Sequence, residues 1–251
     1  MLKTRIIPSI LIKNNIVVKS KRFAEWRNIG SCMNVARVYE SREVDELVIL
    51  DIPATPEGRK PALALMRQIA DECFMPLAMG GGVRSLDDVR DLLNAGADKV
   101  VVNTRALENP LFVTEIADVY GAQCVVASID ARRTADGHGV YSHCGAKATG
   151  LKPVEWAKRL EELGAGEILL TSIDEDGMMA GYDLALVESV AKAVCIPVIA
   201  AGGAGSPDDV VRVIREGKAD AASVASLFLY TQFTPNNVKQ AMREAGIEVR
   251  L

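Results

Sequence analysis

Histidine is scarce in this sequence: 251 residues contain two, His138 and His143, in one polar stretch. A pair is too few for a metal site on its own. Five cysteines, Cys32, Cys73, Cys124, Cys144 and Cys195, lie far apart without a CxxC pair, and their number is odd. That spacing argues against a disulfide framework and against zinc, so most are expected as small core residues, and neither metal nor cofactor is expected. Blocks of like charge are also missing. A formal net charge of −4 leaves no basic face of the kind that nucleic acid or an anionic lipid surface demands, so neither is an expected partner. Nowhere do about 18 apolar residues run together, as a membrane-spanning helix would need. The N-terminal "MLKTRIIPSI" has no long apolar segment followed by a small-residue cleavage site, and a cytoplasmic protein is the expectation.

What is present is a rhythm. Short runs rich in Val and Ile recur eight times: "RIIPSILI", "DELVILDI", "MPLAMGGG", "ADKVVVNT", "AQCVVASID", "GEILLTSID", "IPVIAAGGAG" and "ADAASVASL". Between them lie helical patterns such as "PVEWAKRLEELG", and most of these end at a glycine such as Gly96 or Gly164. Near-continuously apolar strands, each followed by a helix, read as a parallel sheet covered by helices. At this length the economical solution is one closed α/β domain, a (β/α)8 TIM barrel spanning residues 1–251. An open doubly wound sheet is the alternative, but its nucleotide fingerprint after the first strand is absent.

The halves, about 1–122 and 123–251, also match each other. "MPLAMGGGVRSLDDVRDLLNAG" (75–96) overlays "IPVIAAGGAGSPDDVVRVIREG" (196–217), pairing Gly82 with Gly203 and Asp88 with Asp209. Such a repeat means two four-strand halves closing one barrel, with paired sites at the C-terminal ends of strands. Glycine turns open helices near Ser85 and Ser206, where backbone N–H groups can bind a phosphate or where glycine merely makes a tight turn. Two such turns in symmetric positions point to a ligand with two phosphates.

Asp130 ends the fifth strand after an apolar run, so it is either hydrogen-bonded there or kept for proton transfer. Aligning Ser9 with Ser128 sets Leu11 against Asp130, a hydrocarbon where the other half has an acid. Asp174 and Asp176, in "SIDEDGMMAG", follow the sixth strand and read equally as loop caps. At the opposite end, Arg5, Glu46, Lys99 and Glu167 stand at the starts of strands 1, 2, 4 and 6. They would face one another across the barrel floor, where opposite charges can neutralise.

These strands and turns closely resemble the cyclase subunit of imidazole glycerol phosphate synthase, HisF. The resemblance runs from "RIIP" to "EAGIEVR", with "GAGEILLTSID", "GYDL" and "IPVIAAGGAG" as its most specific motifs. It implies a glutaminase docked on the floor, with ammonia passing through the barrel to a bisphosphate substrate at the top. It makes Arg5, Glu46, Lys99 and Glu167 the ammonia gate, puts Asp98 at the glutaminase interface and Lys19 on a mobile loop over the active site. Phosphate and substrate binding would fall to Gly82, Asn103 and Thr104 on one side, to Gly203, Ala225 and Ser226 on the other, and to Asp176 and Gly177.

The departures cluster at the top. HisF proteins carry a catalytic Asp at the position of Leu11, paired with the one matching Asp130. Val101, Met178 and Ala201 stand where small polar residues are usual, and the segment from Asn14 to Cys32 loses the family's Asp-Gly-Arg and Asp-Pro. A HisF-like offshoot of surface-polysaccharide gene clusters has Leu in place of that Asp and serves a sugar amidotransferase that makes acetamidino sugars. "SILIKNNIVVKSKRF", "EGRKP" and "ADECFMPL" resemble that offshoot, whereas "YTQFTPNNVKQAMREAGIEVRL" is similar to the ordinary cyclase. Three readings follow: an ammonia-delivering subunit, a working cyclase whose missing acid is supplied by Asp176 or water, and a sister-type phosphosugar isomerase.

Overall fold

In a computed structural model, which describes residues 3–250, the eight apolar runs form parallel strands. They are β1 (Arg5–Lys13), β2 (Leu47–Asp51), β3 (Leu77–Gly80), β4 (Lys99–Val102), β5 (Val125–Thr134), β6 (Glu167–Ser172), β7 (Val198–Ala201) and β8 (Ala221–Val224). Each pairs with the next, and β8 pairs back onto β1, so the sheet closes into a (β/α)8 barrel. Register climbs around the ring. Arg5 to Pro8 lie beside Ala221 to Val224, while Ser9 to Ile12 lie beside Val48 to Asp51. That stagger is what tilted strands need in order to close.

Helices α1 (Cys32–Glu40), α2 (Leu63–Ala70) and α3 (Leu86–Asn94) follow the first three strands. The short α4 (Thr104–Glu108) and α5 (Leu111–Tyr120) follow β4, and α6 (Pro153–Glu162), α7 (Leu184–Ala191) and α8 (Pro207–Arg215) follow β5 to β7. The short α9 (Ser226–Tyr230) and α10 (Pro235–Glu244) then follow β8. The half repeat is visible in detail. Ser85 caps α3 and Ser206 caps α8, each accepting a backbone N–H, from Asp88 and Asp209 respectively. Those aspartates in turn accept the N–H of Arg84 and of Gly205, both at 3.0 Å.

Successive strand residues face opposite sides, and both sides are buried. On β1, Ile6, Ile10 and Ile12 join the core between sheet and helices. Ile7 faces inward and packs with Val48, Ala78, Val101, Val126, Leu169, Ile199 and Ala221 inside the barrel. Two pieces of sheet go beyond the bare barrel. After β1, the antiparallel segments Ile16–Lys19 and Arg27–Ser31 form a hairpin arm over the top, where the sequence reading has only a loop. The turn into it is Asn14-Asn15 with φ of 51° and 60°, a left-handed pair that asparagine tolerates and that suits a two-residue hairpin. A second antiparallel extension, Gly137–Ser142 and Lys147–Ala148, grows from β5.

Candidate active site at the top of the barrel

Inward-facing positions stack in layers from floor to top. At the floor, Arg5 lies 2.6 Å from Glu46 and 3.0 Å from Glu167. Lys99 lies 2.9 Å from Glu46 and 3.2 Å from Glu167. The two cations and two carboxylates thus form one closed ring. Above it sits the apolar layer of Ile7, Val48, Ala78 and their neighbours. Two residues further along their strands, Ser9, Ser128, Thr171 and Ser223 begin the base of a cavity of about 330 Å³ that opens at the strands' C-terminal ends.

Leu11 and Asp130 both line this cavity. β1 and β5 are separated by three strands on either side of the ring, so the two residues stand on opposite walls. Asp130 Oδ2 accepts a hydrogen bond from Asn103 Nδ2 at 2.9 Å. Burial pushes its carboxyl up, the like charge of Asp176 adds to this, and a hydrogen bond from Ser128 opposes it; the result is about 7. A carboxyl poised there can give or take a proton near neutral pH. Leu11 can do neither.

The other cavity carboxylates are occupied or peripheral. Asp51 is fully buried, holds Arg59 through two bonds of 2.7 and 2.8 Å and accepts the N–H of Ala62 at 2.9 Å. Asp176 pairs with Lys19 Nζ and accepts from Ser20 Oγ at 2.8 Å. Glu108, half-exposed, lies 3.8 Å from His143. Lys19 is buried at the end of Ile16–Lys19, and its bond to Asp176 draws the hairpin arm down over the site. Gly177 lets the arm approach: its φ is 74°, and an added Cβ would collide with the Ser20 carbonyl oxygen.

The two halves present their turns differently. In the first, Gly82 donates its N–H to Thr55 Oγ1 at 3.1 Å, Asn103 is used on Asp130, and Thr104 Oγ1 accepts the His143 N–H at 3.0 Å. All three residues that the sequence assigns to an anion here have a group engaged within the protein. In the second, Gly203 takes φ of 116° against Gly181, and its carbonyl accepts the Gly181 N–H at 2.9 Å. Ala225 closes the first turn of α9 through its carbonyl. Among the described residues, Ser226 Oγ is buried without a partner.

For several groups sequence reasoning did not foresee the bonds they make. Cys144, in the β5 extension, donates its thiol to the Ile52 carbonyl at 3.2 Å, and burial followed by the nearby charge of Asp130 pushes it up to about 11. Asp98, exposed at the floor, accepts the Leu77 N–H at 2.8 Å, as Asp220 does for Val198 at 2.9 Å. These carboxylates fasten the starts of β3 and β7. Asp174, offered as a loop cap, accepts the Arg133 N–H at 2.7 Å. Among the described residues no group of three His, Cys, Asp or Glu could hold a metal ion, and no helix is long and apolar enough to cross a membrane.

A half-repeated barrel with a deep cavity and a neutral-range carboxyl at the strand ends defines the class: a (β/α)8 protein whose site, as is general for this fold, is built at the C-terminal face. A family model described as "Histidine biosynthesis protein" matches residues 5–234, and the chain belongs to that family.

Proposed function

We propose that this chain is the barrel subunit of a glutamine amidotransferase complex in the cytoplasm. In this reading a glutaminase docks on the floor, ammonia crosses the barrel, and an acceptor with two phosphates occupies the top. The observation that carries it is the contrast between the two ends: a complete four-charge ring at the floor and, at the top, one carboxyl raised to about 7 across the cavity from Leu11. A solitary enzyme has no use for a partly buried charge ring that costs desolvation and adds little stability. Ammonia is neutral and can pass the apolar layer once an ion pair of the ring parts, whereas ammonium would have to shed its water. Phe74, 89% exposed in the loop before β3 on the floor side, offers an apolar contact to a docked partner.

With Leu11 in place of the family's Asp, ring closure by this chain is weak, and the ammonia goes to a sugar amidotransferase that amidinates a surface-polysaccharide sugar. The second reading, a working cyclase-lyase of histidine biosynthesis, is favoured by one feature: the Asp130 carboxyl near 7 could serve as acid and base in turn. Asp176 is a poor substitute for the missing acid, since both its oxygens are engaged.

Two measurements decide. Purified with the glutaminase encoded beside it, the chain should form a stoichiometric complex and raise glutaminase activity; failure of both removes the subunit reading. Given free ammonium and the histidine-pathway bisphosphate, it should close the ring roughly 100- to 10,000-fold more slowly than its Leu11→Asp variant, the contribution of one positioned acid or base. A rate on the order of 1 per second or more from the natural chain would establish the cyclase instead.

A further inference from the structure

Three side chains with a fixed positive charge line the cavity: Lys19, Arg84 and Arg105. Two are committed. Lys19 is paired with Asp176. Arg84 donates Nη1 to the Gly58 carbonyl at 2.7 Å, and its Nε lies 3.6 Å from Asp88. Arg105 differs. Among the described residues its Nε is buried without a hydrogen-bond partner, and Glu108, one turn along α4, faces His143 instead. Its guanidinium carbon sits 5.6 Å from the centre of the Phe112 ring, a cation–π contact that steadies the side chain without neutralising it.

The half repeat shows that the fold does not require this charge. α4 and α9 begin alike, after Asn103 and Ala225 with φ of −129° and −130°. Arg105 therefore corresponds to Leu227, which is fully buried in the core. An apolar core residue serves in one half, and an arginine that belongs to the cavity lining stands in the other. On that same side the Gly82 N–H, the Asn103 amide nitrogen and the Thr104 hydroxyl already have protein partners.

We propose that Arg105 is the anion-recognising residue at the first-half end of the cavity, binding a phosphate or carboxylate of the ligand, while Ser226 serves the other end. The assignment rests on the reading of a ligand with anions at both ends. A guanidinium fork grips two oxygens at once, so the two ends are recognised by different chemistry, and a ligand with unlike ends has one preferred direction of binding.

Calorimetric titration of the full chain with inorganic phosphate, and separately with acetate, tests this in the natural protein and in Arg105→Leu, Arg105→Lys and Ser226→Ala. Two phosphate sites are expected. Arg105→Leu should weaken one by about 10- to 100-fold and spare the other, as expected for loss of a charged hydrogen-bonding group. Ser226→Ala should do the converse, and Arg105→Lys should fall between. The melting temperature of ligand-free Arg105→Leu should not drop, because leucine suits the matching position. Acetate binding at the Arg105-dependent site would support a carboxylate end, and preference for phosphate a phosphate end; both support the site. Two phosphate sites indifferent to Arg105→Leu would overturn this assignment and leave the doubly anionic ligand standing. Loss of both sites together with a lowered melting temperature would show Arg105 to be structural. No phosphate binding by the natural protein would remove the doubly anionic reading and this assignment with it.

Discussion

Replacing Asp130 by asparagine should change how stability depends on pH, and the size of the change follows from the cavity. The carboxyl moves from its ordinary 3.8 in the unfolded chain to about 7 in the folded one, first through burial and then through Asp176. At about 1.4 kcal/mol per pH unit, this bounds the linkage at roughly 4 kcal/mol. Water reaches the cavity through its mouth and screens part of this, so about 2 kcal/mol is a realistic figure. The folded form holds its proton more tightly than the unfolded form. The stabilisation is therefore complete below about pH 4 and is lost as pH rises through 7. The substituted amide keeps an oxygen to accept from Asn103 but carries no proton equilibrium. Urea unfolding at about pH 5 and pH 8 should show the natural chain losing about 1 kcal/mol more than Asp130→Asn, since part of the roughly 2 kcal/mol is already lost below pH 5. The thiol of Cys144, held up in part by the charge of Asp130, should also react faster with a disulfide reagent in the variant. Equal pH dependence in the two proteins would show that Asp130 ionises as an ordinary aspartate and would remove it as a neutral-pH acid or base.

At the floor, Glu46→Gln should cost about 2–3 kcal/mol in denaturant unfolding, because Glu46 is 2% exposed and serves both Arg5 and Lys99. Glu167→Gln, at 14% exposure and with longer contacts, should cost less; the reverse order would refute the account of the ring. Asp98→Ala and Asp220→Ala should each cost about 1–2 kcal/mol, since each strips the acceptor from a strand's first N–H. A stability loss for Asp220→Ala alone would leave Asp98 as a contact residue only.

The eight strands were legible because each is buried on both faces and so reads as an unbroken apolar run. Closure followed from their number and from the half repeat. The hairpin arm was not legible as sheet: Ile16 to Lys19 is too short to show a period, and its signal lies in Asn14-Asn15, whose meaning depends on φ. Positions at strand ends, such as Asp130 and the floor charges, could be placed by counting along the chain. Partners could not. That Asn103 bonds Asp130, that Gly82 spends its N–H on Thr55, or that Asp98 fastens Leu77 depends on side chains from neighbouring strands and loops meeting within hydrogen-bond distance. A single sequence carries no trace of such pairings. Arg105 was passed over because it sits in an ordinary-looking helix start, and only comparison with the buried Leu227 marks it.

The two departures from internal symmetry point the same way. Leu11 stands where the second half has Asp130, and Arg105 where it has Leu227, so at these two positions the first half has a hydrocarbon in place of a carboxylate and a cation in place of a hydrocarbon. Asp130 reaches about 7 without an acid at position 11, through burial and the like charge of Asp176. An aspartate in place of Leu11 would add another like charge to the cavity and push Asp130 higher still, so that the two would titrate as a pair. With Leu11 there is no carboxylate at the matching position on β1 for Asp130 to couple with. A shared acid–base reaction needs the pair. Holding a doubly anionic molecule, or receiving ammonia from below, would draw on the proposed anion sites, the bore and the floor ring, and needs no carboxylate at position 11.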